Sequence, residues 1–272
     1  MWHRMMRLDR RWIFLTVALI VTVPFIFQWA LPPGSVSPPT RALYDFLEKL
    51  PPGSPVMISF DYGPASMPEL QPMAEALARH ALKRKLRLMG IALWPQGTML
   101  CQQAFTTAAE GTGAREGHEW VNLGYKPGAL SVILGLGTDI TQVYRADHRE
   151  VPLRDLPIMA GVRSYDDIGL VIDLAAGMTP GDWVRFAQSR FGQALGIGCT
   201  AVMATDIYPY LQSKQVIGVL NGLKGAAEYE SVTNHTGRAS LGMTSQSIAH
   251  LAIIFFVLIG NIGYFASRGR RR

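Results

Sequence analysis

The chain has 272 residues, 49% of them hydrophobic, with a net charge of +6 and a mean hydropathy of +0.15. That apolar share excludes a disordered chain, and two cysteines exclude a disulfide-built scaffold. The charge does not point to nucleic acid. Eight arginines flank two apolar segments and, less Asp9, carry +7; the 18 basic and 19 acidic residues elsewhere come to −1. A nucleic-acid partner needs a basic patch on the folded domain, and the only approach to one, Arg79 to Arg87, reads as the solvated end of a helix.

Trp12 to Leu31 is twenty residues without a charge, about 30 Å as a helix, enough to cross a bilayer core. Ile248 to Ala266 is a second such segment of nineteen residues. The first is longer than the apolar core of a cleaved leader and lacks an A-x-A-like site, so it reads as an uncleaved anchor. Arg4, Arg7, Arg10 and Arg11 precede the first segment, and Arg268, Arg270, Arg271 and Arg272 follow the second. Positive flanks stay cytoplasmic. The expectation is a double-span cell-membrane protein with the lipid bilayer as partner. Its cytoplasmic tails are 1–11 and 267–272, its spans 12–31 and 248–266. An extracytoplasmic domain covers 32–231 and a polar linker 232–247.

Beyond the first segment, Thr40 is placed to cap a helix from Arg41 to Leu50, stopped by Pro51 and Pro52. Apolar runs without alternation then mark strands buried on both faces: Val56 to Phe60, Leu86 to Leu93, Gly169 to Leu174 and Leu195 to Met203, with Trp120 to Tyr125 a weaker fifth. Helical patterns separate them. The first is read as starting near Pro72, leaving a long loop from Asp61 to Gln71. Others cover Thr98 to Ala109, Ala129 to Tyr144, and the segment that Thr179-Pro180-Gly181-Asp182 opens. Tyr210 to Glu230 is read mainly as a helix, with Val216 to Leu220 as a strand the alternative. The order predicts a Rossmann-like or flavodoxin-like three-layer α/β sandwich around a mostly parallel sheet.

Open α/β sheets bind ligands at the carboxyl ends of their strands, so acids there are site candidates. Asp61, Asp173 and Asp206 follow three strands. If they converge they suit a divalent cation of unspecified kind; otherwise each caps a turn or helix. Tyr62 would wall such a crevice, and Lys126, on the turn Gly124 to Gly128, would meet a phosphate or carboxylate. Gly218, Gly222 and Gly225 would make a flat helix face for packing, within the chain or against a second copy. Cys101 and Cys199 lie outside in this topology, where a disulfide is allowed, although buried free thiols are common. The sequence holds no catalytic elbow, P-loop, zinc signature or cofactor fingerprint; Gly135 to Asp139 lacks the third glycine of a dinucleotide loop.

"YPYLQSKQVIGVLNGLKGAAEYE", with the two-segment layout, resembles a family of uncharacterised prokaryotic membrane proteins and brings no activity with it. "TRALYDFLEKLPPGSPVMISFDYGP" resembles the start of the exported α/β domain in auxiliary subunits of gliding-type ABC transporters. That likeness implies a non-catalytic scaffold beside a membrane complex. The functional expectation is therefore a membrane-anchored structural or interaction module that self-assembles or joins a complex. The alternative is a metal-dependent hydrolase or small-ligand domain using the acids at the sheet edge.

Overall fold

The computed structural model describes residues 9–31 and 34–268; most of the expected cytoplasmic tails lies outside them. The chain divides into two compact units, 1–32 with 240–272, and 33–239.

The first unit holds α1 (Arg10–Ile26) and most of α10 (Arg238–Arg268). The Leu31 N–H donates to Thr244 Oγ1 at 2.8 Å and the Ser245 hydroxyl to the Val21 carbonyl at 3.1 Å. Among the described residues only α10 is long and apolar enough to cross a bilayer. The expected first span is shorter than its composition implied. Pro24 lies inside α1, and Gln28 takes a left-handed φ of 52° just past its end. Seventeen helical residues rise about 26 Å, short of a ~30 Å hydrocarbon core.

The expected linker is also corrected. Glu230 accepts the backbone N–H groups of Gly237 and Ala239 at 3.0 Å each, so α10 begins at Arg238 and leaves only 233–237 between helices. No proline interrupts the polar stretch 238–247, which therefore continues the apolar helix.

The second unit is α/β, with a sheet of six parallel strands ordered β3-β2-β1-β4-β5-β6. They are β1 (Pro55–Asp61), β2 (Arg87–Ala92), β3 (Trp120–Tyr125), β4 (Leu170–Ala175), β5 (Leu195–Cys199) and β6 (Gly218–Asn221). This is the doubly wound 3-2-1-4-5-6 order, which reverses between β1 and β4. One face is covered by α2 (Pro38–Lys49), α3 (Met67–Lys83), α4 (Gly97–Ala109) and α9 (Gly222–Val232). The other is covered by α5 (Ala129–Leu136), α6 (Ile140–Val143), α8 (Ala204–Gln212) and α7 (Thr179–Trp183), which runs on through a π-turn to Phe191. Every residue of β1 is buried, as a central strand with helices on both faces requires.

Several local expectations change, each for a tertiary reason. Thr40 does not cap α2; its hydroxyl donates to the buried Glu228 at 2.9 Å, as does the Ser37 hydroxyl at 2.5 Å. Helix α3 begins at Met67 with Pro72 inside it, so the long loop after Asp61 shrinks to a turn of ordinary length. In the first turn of that helix Glu69 accepts the Ala201 N–H at 2.8 Å. The expected helix from Ala129 to Tyr144 is two, broken where Asp139 caps Thr141.

The segment Tyr210 to Glu230 is not one helix. Its middle becomes β6, where pairing with β5 satisfies the backbone of a short run around Gly218, while Gly222 and Gly225 fall in α9. The three glycines consequently share no helix face. A Cβ at Gly218 would strike Pro39 and Leu43 of α2, Gly222 has a φ of 55° against Ala201, and Gly225 lies on Leu220. All three serve packing within the chain. Cys101 and Cys199 are free and buried.

Candidate functional site

The strand order places its switch point at the carboxyl ends of β1 and β4, and two of the candidate acids meet there. Ser59 of β1 is in register with Asp173 of β4, and Asp61 with Ala175. Alternation along the strands turns Ser59, Asp61 and Asp173 to the same face, the one α7 covers. Asp61 and Asp173 are both 0% exposed.

Their environments differ. Asp61 Oδ1 accepts the Leu93 N–H at 2.7 Å and Oδ2 accepts the Ser59 hydroxyl at 2.7 Å. The Trp183 indole lies against Asp61 and the Thr179 hydroxyl against Asp173. Neither group makes a hydrogen bond of good geometry, and neither oxygen of Asp173 does. Burial pushes the Asp61 carboxyl up, countered in part by Asp173 and by its donors. Burial pushes Asp173 well above the carboxylate range, and the charge of Asp61 adds to it. Two carboxylates in a dry core do not both ionise. Asp61 has the donors and is the one that holds charge more readily; Asp173, with none, is the one that holds a proton more readily.

Cys199 lies one strand further on, in register with Ala175. Burial first, and Asp173 second, push its thiol up to about 12. The cluster therefore offers a shared proton and an unreactive thiol behind a sealed wall, with no approach for a substrate in this conformation.

The other candidates lie elsewhere. Tyr62 is buried in the core, donating to Gln71 at 2.7 Å and packing on Phe60, so it walls no crevice. Asp206 is exposed in the first turn of α8 and does not join the pair. The expected convergence of three aspartates is thus a pair, because Ala204 and Ile207 take the buried positions of that helix and turn Asp206 to solvent. Lys126 follows β3 and lines a separate pocket.

Thr179 and Trp183 completed the buried cluster without any signal in the sequence. A second group also escaped it: ligand atoms of Glu116, Asp147 and His148 lie within 4.8 Å of one another. Arg149 already pairs with Glu116 at 2.5 Å, and Asp147 accepts the Arg149 and Val151 N–H groups, so both acids already have partners within the chain. No family model, curated protein or solved structure matches this chain.

Proposed function

We propose that the chain is a membrane-anchored interaction module: two spans, both termini cytoplasmic, and an extracytoplasmic α/β unit that associates with a second copy of itself. The observation that carries this reading is the apolar dressing of the sheet's carboxyl edge. Met99 after β2, Met178 after β4 and Val202 after β5 are 80%, 83% and 86% exposed. Met99 lies in the first turn of α4, and Met178 and Val202 lie in the turns after β4 and β5, so three large apolar side chains at the same end of the sheet favour a contact surface. Anchoring supports the choice of partner, since copies held in one membrane meet at raised effective concentration. The exposed apolar length of α10 supports the second span, and the first rests on the charge-free composition of Trp12 to Leu31; the flanking arginines support the orientation.

Two measurements test it. Protease added to spheroplasts is expected to cut within 233–237 and spare both tails; loss of the tails reverses the orientation. Light scattering of the chain in mild detergent is expected to give a defined oligomer that Met99→Asp with Met178→Asp dissociates. A strict monomer refutes self-association. A second reading, a small-ligand domain at the carboxyl edge, is favoured by the pocket beside Lys126.

A further inference from the structure

Beyond the ends of β2 and β3 lies an open pocket of about 600 Å³, inside the roughly 300–1,000 Å³ of small-ligand sites. Its walls are firmly held. The Lys126 N–H donates to the Ala92 carbonyl at 3.2 Å, continuing the sheet past β3. The opposite wall, Arg145 to Glu150, belongs to a loop closed by the bridge Ala146 to Pro152 and by the Asp147 N–H, which donates to the Val151 carbonyl at 2.9 Å. The site needs little ordering before it binds.

Its charges are specific. Lys126 Nζ stands 5.8 Å from the centre of the Tyr144 ring, and among the described residues neither Lys126 nor Arg145 forms an ion pair. Asp147, the nearest buried acid, has Oδ1 committed to two backbone N–H groups. The lining also holds Asp147 and Glu150, so Lys126 and Arg145 supply an unpaired cationic end to a pocket of mixed charge, which suits the anionic end of a ligand. A phosphate monoester carries about −1.5 to −2 at neutral pH, and the arginine fork and the lysine point charge both suit its oxygens.

The pocket also holds acceptors that a bare anion would not use. Among the described residues Glu150 has no cationic partner, and Gln142 spends only its amide N–H, on Asp139. Both suit the hydroxyl groups of an attached polyol, and the volume has room for one. We infer that this pocket binds the phosphate monoester of a small hydroxylated molecule, of sugar-phosphate size, with Lys126 and Arg145 clamping the phosphate. The inference is independent of self-association, since it needs neither the apolar edge nor a second copy.

The test is calorimetric titration of the detergent-solubilised full chain with ribose 5-phosphate, inorganic phosphate and ribose. Ribose 5-phosphate is expected to bind saturably and more tightly than inorganic phosphate, and ribose not at all. Lys126→Gln and Arg145→Gln are each expected to weaken binding about tenfold, and together to remove it. Lys126 and Arg145 lie outside the core, so unchanged thermal melts will show that the variants fold. Absence of saturable binding by both phosphates overturns the inference. Binding that survives both substitutions, or ribose binding as tightly as its phosphate, overturns it too.

Discussion

Replacing Asp173 with asparagine is expected to stabilise this protein at neutral pH, although the side chain is fully buried in a central strand. Asp173 is held well above the carboxylate range by burial first and by the charge of Asp61 second. In the unfolded chain it ionises near ~3.9, so above that pH the folded state holds one more proton than the unfolded. A raised folded pKa gives stability that is complete below the unfolded value and lost as pH climbs towards the folded one. One proton makes the loss about 1.4 kcal/mol per pH unit over that window. The burial-raised carboxyl of Asp61 acts with the same sign. An asparagine at this position would not titrate, and it keeps the size and shape of the protonated acid. Urea unfolding of the detergent-solubilised chain, followed by tryptophan fluorescence from about pH 4 to about pH 9, is the assay. The two proteins should agree near the acid end, with the Asp173→Asn variant increasingly the more stable above it. Parallel pH profiles, or a variant weaker than wild type at neutral pH, would show that Asp173 is ionised in the fold and refute the shared proton. Stabilisation of wild type alone by magnesium or calcium would refute it as well, in favour of a cation.

Glu228 is 1% exposed and receives the Ser37 N–H and hydroxyl and the Thr40 hydroxyl, so Glu228→Ala leaves three donors without their acceptor at the junction of α2 and α9. A loss of about 1–3 kcal/mol is expected in the same unfolding assay, and an unchanged midpoint would refute that role. Gly218→Ala drives a methyl group into the backbone of α2, for about 1–3 kcal/mol of overpacking. Its oligomeric state by light scattering should match wild type; a change of assembly with full stability would return Gly218 to a subunit interface.

Much of the architecture was legible along the chain, because it rests on local chemistry. Uninterrupted apolar runs at Val56 to Phe60 and Gly169 to Leu174, separated by helical periodicity, imply parallel strands covered on both faces. That same burial erased the alternation that would have shown Asp61 and Asp173 facing one another. Their meeting depends on β4 entering the sheet beside β1, which is a property of strand order. The sixth strand was ambiguous for a related reason. Residues 216–222 have weak preferences of their own, and the open edge of β5 supplies the hydrogen bonds that make four of them a strand. Composition marked two apolar segments but not the length of helix in the first, which ends where the backbone turns left-handed at Gln28. Lys126 was visible as a lysine on a turn. That it lines a pocket with Arg145 depends on the long connection from β3 to β4 folding back past the strand ends, through backbone contacts that no local spacing encodes.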